Sequence, residues 1–299
     1  VEDNKKGIIQ ALSAIALFGT LPVAIRFVSA NTFSIGIFRL CFALIFVYGF
    51  CRIKGSLSAG FFKHWKFLVP IGVCFGLHWY TYFQAIKIAS ASIGAVSVST
   101  YGIHLIILGF FFERRPKTWI DVGAVFLAIA GTLLIIPEFS LGNDTTLGFC
   151  YGVISGFLYA LLPILHKRAS FLNGSTRTLG QFFFALLVFL PFFGETNWEL
   201  SRTDWLVLLH LGFVCTVVGH SLWVAATTIL PTATSALVYY AYVPTALFFS
   251  YILLGEELRP TALFGVFLVF TANITGILYG STFKKPASEE LISERLITE

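Results

Sequence analysis

His78, Trp79 and Tyr82 stand in "HWYTYFQ" (78–84), inside a long apolar run. Helical positions three and four apart share a face, so this imidazole, indole and phenol crowd one region. A second set, His220 and Trp223 in "GHSLW" (219–223), has the same three-residue spacing. Such side chains do recognition chemistry. Rings stack on aromatic or heteroaromatic groups and hold cations over their faces, and imidazoles hydrogen-bond or relay a proton. They do not make a hydrolytic set. Paired Asp, HExxH and a Ser with a base are all missing from the apolar runs, and the five cysteines form no CxxC. No enzyme, metal or other cofactor is therefore expected. The cysteines read as buried apolar thiols.

Something must hold these groups away from water. Of the 299 residues, 57% are hydrophobic and only 12% charged, against about 45–50% and about 25% in soluble domains. That balance points to lipid as the main solvent. A bilayer core takes about 20 apolar residues per helix. Ten such runs are present: 8–28, 32–52, 67–88, 90–112, 118–137, 147–166, 176–194, 205–226, 231–254 and 261–280. The expected class is an all-α membrane protein of ten transmembrane helices. The first run has full spanning length and reads as a span rather than a leader. Residues 281–299 read as a solvated tail.

Lys and Arg set the orientation. With the N-terminus inside, fifteen of the 20 fall in inside segments and four outside (Arg26, Lys87, Arg202, Arg259), while Arg39 lies within a span. Both termini are therefore expected in the cytoplasm, and the net charge of +5 reflects orientation rather than nucleic-acid binding.

The halves echo each other. "FGTLPVAIRF" (18–27) aligns with "YALLPILHKR" (159–168), placing Pro22 on Pro163. "YFQAIKIASASIGA" (82–95) aligns with "WVAATTILPTATSA" (223–236), and "FERRPKTWIDVGAVFLAIAG" with "GEELRPTALFGVFLVFTANITG". Residues 1–140 and 141–280 thus read as two five-helix repeats. Five is odd, so the second must enter the membrane from the opposite side. Such inverted repeats suit alternating access around a midplane site. By the repeat offset His220 falls within one residue of His78, and Trp223 on Tyr82.

Ten helices in a five-plus-five repeat resemble the drug/metabolite transporter superfamily. "LLGEELRPTALFGVFLVFTANITG" is similar to the ends of its EamA-type repeats, and "FGTLPVAIRF", "IGIFRLCFAL" and "YFQAIKIASAS" also resemble that family. The first half has "FFERRP" where Gly-Glu is usual, and Pro244 meets Tyr101 as its nearest counterpart. The resemblance implies one fold with diverse substrates: amino acids, amines, drugs, nucleotide-linked compounds and S-adenosylmethionine.

The expected substrate-binding residues are His78, Trp79, Tyr82, Tyr101, His220, Trp223, Tyr239 and Ser99. Anchoring at the membrane interface is the competing role for the tyrosines. Pro22, Pro163 and Pro244 sit inside runs; proline removes a helix hydrogen bond, so they either shape the bundle or form a hinge or gate. Gly148, Gly152 and Gly156, four apart, predict close helix packing. Arg39 is expensive within lipid; it reads as a structural brace between helices, with a substrate carboxylate as the alternative. No Asp or Glu lies deep in a run. The expectation is facilitated diffusion or exchange of a small polar metabolite, with an amino acid or derivative as the leading candidate. The alternatives are S-adenosylmethionine or another nucleoside-bearing metabolite, histidine-linked proton coupling and, as a separate class, a channel. The expected partners are this small molecule and membrane lipid, without nucleic acid. The protein is expected as a monomer or weak dimer, multi-pass in the cell's inner (plasma) membrane.

Overall fold

The computed structural model describes residues 2–55, 61–112, 118–135, 140, 142–230 and 238–279. Among them the chain is helical, with no strand. The helices are α1 (Glu2–Gly19), α2 (Leu21–Phe27), α3 (Thr32–Ile53), α4 (Trp65–Ile88), α5 (Ala91–Val98), α6 (Tyr101–Phe112) and α7 (Trp119–Ile135). The second half continues with α8 (Asp144–Arg168), α9 (Gly174–Phe189), α10 (Arg202–Leu209), α11 (Gly219–Ile229), α12 (Tyr242–Leu254) and α13 (Pro260–Tyr279). Their starts are written in the sequence. Asn31, Ser90, Asn143, Asn173 and Ser201 each accept a hydrogen bond from a first-turn backbone N–H, the usual N-cap chemistry. Residues 113–117, 231–237 and the 281–299 tail, with the expected features that fall on them, lie outside the described residues.

Among the described residues, five helical stretches are long and apolar enough to cross a membrane: Lys5–Phe27, Thr32–Ile53, Asp144–Arg168, Gly174–Glu195 and Arg202–Trp223. Val122–Ile135, Val238–Leu254 and Pro260–Gly276 are apolar but shorter. Helix α4 has 24 residues yet is not among the five. It carries the "HWYTYFQ" polar set, and His78, Trp79, Thr81 and Tyr82 are all buried against protein. The outer surface is apolar instead, as with Trp119 and Ile53, 90% and 88% exposed. Two cysteines depart from expectation: Cys41 and Cys150 are exposed, whereas Cys51, Cys74 and Cys215 are buried. The exposed pair sits on outward helix faces, where a thiol suits lipid as well as protein.

Among the described residues, several runs that read as single helices are interrupted. The first turns at Thr20, whose hydroxyl donates to Leu17 O at 2.7 Å, with Pro22 two residues on. The fourth breaks at Ser99–Thr100, where hydroxyls donate back to Val96 O (2.6 Å) and Ser97 O (2.7 Å). Such back-bonding competes with the helix ladder. The eighth passes through a π-helical segment, His210–Val218, between α10 and α11; π-helical turns often mark functional sites. Pro163 sits within continuous α8. Pro244 lies not mid-helix but in the first turn of α12, just after a turn at Ala241, where a missing N–H breaks no internal bond.

Helix neighbours exchange between halves. Helix α8 packs on α4, α5 and α6, while α1 packs on α11 and α12. Helix α4 lies along α9, α3 contacts both α9 and the π segment, and α7 pairs with α13. The glycine face of α8 permits its contact. A Cβ on Gly152 would stand 1.7 Å from Ser97 Oγ, and one on Gly156 2.7 Å from Thr100 Oγ1. Glycine there lets α8 close onto the Ser99–Thr100 break.

One end of the bundle is tied by polar bonds. Arg26 Nη1 donates to Lys87 O at 2.5 Å, and Lys87 Nζ to Val28 O. Ser29 N and Oγ donate to the Asp204 carboxylate at 2.8 and 2.6 Å. Asn31 N donates to Asn197 Oδ1 at 2.7 Å. The Glu256 carboxylate accepts from Ala91 N and Ser92 N at 2.9 and 2.8 Å, capping α5. Arg259 Nη2 donates to Ile135 O at 3.2 Å. The ends of α2, α4, α7 and α12 therefore meet the starts of α3, α5, α10 and α13. His64 against Phe171 and Arg168 over Phe112 mark the opposite end.

Candidate functional site

A cavity of about 370 Å³ lies between the halves, within the range of small-molecule sites. Its wall includes Leu21, Arg39, Trp79, Val98, Leu162 and Trp223. Seven of the eight residues singled out by type and spacing stand on it: His78, Trp79, Tyr82, Tyr101, His220, Trp223 and Tyr239. Ser99 does not; its hydroxyl is spent on Val96 O at the break between α5 and α6. Pro163 is on the wall, whereas Pro22 is buried beside wall residue Leu21 and Pro244 is exposed.

The aromatic residues close into a ring. His78 stacks on Tyr159 (4.8 Å between centroids), Tyr159 meets Tyr239 at a tilt (6.0 Å), and Tyr239 stacks on Tyr242 (6.0 Å). The Tyr242 and Tyr82 hydroxyls hydrogen-bond, and Tyr82 stacks on His78 at 6.1 Å. Tyr101 and Trp223 press on Tyr239 from outside this circuit, at 5.5 and 5.4 Å. The ring takes α4 from the first half, and α8 and the Val238–Leu254 stretch from the second. Each hydroxyl brings a polar tip to an otherwise apolar wall.

The imidazoles are fixed by their neighbours. His78 Nδ1 stands 2.7 Å from Ser155 Oγ and 3.1 Å from Ser155 O on α8. His220 Nδ1 donates to Cys215 O at 3.3 Å, its ring edge-on to Phe18 at 5.0 Å. Arg39 supplies the cation of the wall. Its Nε and Nη2 both donate to Thr216 Oγ1 at 3.1 Å, and its guanidinium covers the Trp79 ring at 4.1 Å. No carboxylate lines the cavity among the described residues. They also contain no group of three or more His, Cys, Asp or Glu able to hold a metal.

Sequence reasoning missed Tyr159, His166 and Gln181. His166 Nε2 donates to Gln181 Oε1 at 2.7 Å, joining the last turn of α8 to α9 at the wall. The available signal was Gln181 itself, a lone amide in "LGQFFFALLVFL". His166 was hidden in "HKR", which reads as an orientation signal.

The sequence profile of the EamA-like transporter family matches twice, over residues 5–136 and 146–275. The chain belongs to the EamA-like transporter family. The double match covers one copy in each half, consistent with the exchange of helix neighbours. Two proteins of Archaeoglobus fulgidus, each named an uncharacterized transporter, are similar. One is 27% identical over 217 residues, covering 71% of this chain and 74% of its own; the other is 27% identical over 205 residues, covering 64% and 69%. A solved crystal structure, titled only as that of a protein, superposes with a TM-score of 0.64 at 13% identity, covering 98% of this chain and 99% of its own. At that identity it speaks for the fold alone. As an EamA-like family member with several apolar helices, the chain is a multi-pass membrane transporter.

Proposed function

We propose that this transporter carries a small polar metabolite, an amino acid or amino-acid derivative, by alternating access through the ring-lined cavity. Transport is by facilitated diffusion or exchange. On this reading ten spans form two inverted five-helix repeats, 1–140 and 141–280, with both termini in the cytoplasm and the protein in the plasma membrane. The end tied by Arg26, Lys87, Asp204 and Glu256 faces outward and is shut. The cavity extends toward the opposite, cytoplasmic end through His166 and Gln181.

The observation that carries this is the aromatic circuit His78–Tyr159–Tyr239–Tyr242–Tyr82, built from both halves around one cavity. A rocking motion of one half against the other opens such a circuit first to one side and then to the other. The breaks at Thr20, Ser99–Thr100 and His210–Val218 flank it and supply the give. With no carboxylate on its wall among the described residues, the site suits a zwitterion or a neutral amphipathic solute better than a small cation.

Proteoliposome uptake of radiolabelled amino acids tests the reading. Saturable uptake stimulated by unlabelled amino acid inside the vesicle is expected, with loss in Leu162→Trp, which fills the cavity. Non-saturable flux indifferent to internal substrate, as from a channel, would sink it.

A further inference from the structure

Among the described residues Arg39 has no carboxylate partner. It is 1% exposed and lines the cavity. Two of its nitrogens converge on one hydroxyl, Thr216 Oγ1, and Nη1 has no acceptor among the described residues. Thr216 in turn donates to Leu211 O at 2.7 Å, within the π segment. A brace between helices would spend the guanidinium fork on several carbonyls. This one hydrogen-bonds only one side chain, Thr216 in the π segment, and its flat face rests on Trp79 of α4, with the Phe83 centroid 5.4 Å away. Asp204 and Glu256 are committed elsewhere, to Ser29 and Ser201 and to the start of α5. The cavity wall carries no Asp, Glu or Lys and no second Arg among the described residues.

A desolvated guanidinium with an idle donor is an expensive feature. Trp79 offsets part of that cost through its ring face. What remains lacking is an acceptor that brings negative charge. We propose that Arg39 anchors a single carboxylate of the transported molecule, so that the substrate itself is the missing counter-ion. One cation balances one carboxylate. A phosphate ester carries nearly two charges and would want a second cation, which the wall does not hold. Arginine's planar fork matches carboxylate geometry. The surrounding rings then receive the remainder of the molecule, best an aromatic or heteroaromatic group. The substrate class is thereby narrowed to aromatic monocarboxylates, with or without an ammonium group. This inference rests on the reading of the cavity as the transport site.

The test uses the full-length protein in detergent and three probes: L-phenylalanine, 3-phenylpropionate and L-phenylalanine amide. The amide keeps the ring and loses the carboxylate. A ligand that binds only the native state raises its melting temperature. Both acids are expected to raise it by several degrees and the amide not at all. In Arg39→Gln the response to the acids disappears, while the unliganded variant melts no lower than the wild type, because an unbalanced charge has been removed. Arg39→Lys keeps a reduced response. Acid and amide stabilising the wild type equally would overturn the proposal, and this comparison needs no variant. So would an Arg39→Gln protein that melts far lower yet keeps its response to the acids, the behaviour of a brace. If acid and amide act alike and Leu162→Trp abolishes both effects, the cavity reading stands and the carboxylate anchor falls. If none of the three probes stabilises the wild type, both fall together.

Discussion

The Arg39 guanidinium lies 4.1 Å over the Trp79 ring, joining α3 to α4 beside the cavity. A desolvated contact of this kind is worth about 2 kcal/mol. Trp79→Leu is expected to remove it and to leave a smaller residue in a packed wall, lowering stability by roughly 2–4 kcal/mol. Thermal melts of the single variants and of Arg39→Gln/Trp79→Leu form a cycle. The double variant should lose less than the sum of the singles, since the shared contact is lost only once. Strict additivity would mean the two groups do not interact.

Arg39 also bears on exchange. Returning empty through an occluded state carries an unbalanced guanidinium away from water, whereas a loaded carrier moves a neutral pair. Efflux of labelled L-phenylalanine from proteoliposomes should run severalfold faster into medium containing unlabelled L-phenylalanine than into medium without it. The ratio should fall toward one in Arg39→Gln. A wild-type ratio near one would show that the empty form returns without penalty.

The contact of α8 with the Ser99–Thr100 break depends on a bare backbone at Gly152. Gly152→Ala puts a methyl group 1.7 Å from Ser97 Oγ. Overpacking of this kind costs about 1–3 kcal/mol. The melting temperature should drop accordingly, and Ser97→Gly in the same chain should restore much of the loss. At Gly123, where an added Cβ meets nothing within 4 Å, alanine should be tolerated.

Asp204 holds the tied end by accepting from Ser29 N and Oγ and from Ser201 N and Oγ. Asp204→Ala removes a capping-box partner together with the link from α10 to the Ser29 segment. A loss of about 1–2 kcal/mol is expected. The population with that end open should also rise. Maleimide labelling of a cysteine placed at Leu21, on the cavity wall, from the outer side of sealed vesicles reads this out. Unchanged labelling would show that Asp204 stabilises the fold without holding the gate.

Much of the site was legible from residue type and spacing. A histidine, an indole and a phenol at three- and four-residue intervals in an apolar run favour protein or water over lipid, which leaves their polar atoms unpaired, with anchoring at the interface as the competing role. That reasoning reached His78, Trp79, Tyr82, His220 and Trp223. It failed at Ser99, whose hydroxyl turned back on its own helix, a choice that depends on local backbone geometry. It also passed over His166 and Gln181, whose bond joins α8 to α9. The breaks at Thr20 and His210–Val218 were not legible either, since apolar periodicity is the same for a straight helix and for one interrupted by a turn or a π segment.

Composition and apolar run length determined by themselves that this chain lives in lipid, because surface must match solvent whatever the packing. The order of its motifs determined the doubling of the fold, because each half must bury a similar set of faces. Only the tertiary structure decided that five aromatic residues from three stretches of chain close into one ring, and that Arg39 reaches Thr216 with one nitrogen left over. Those facts depend on distances of a few ångströms between helices far apart in sequence. Such distances are set by how glycine, threonine and proline positions let backbones approach and bend.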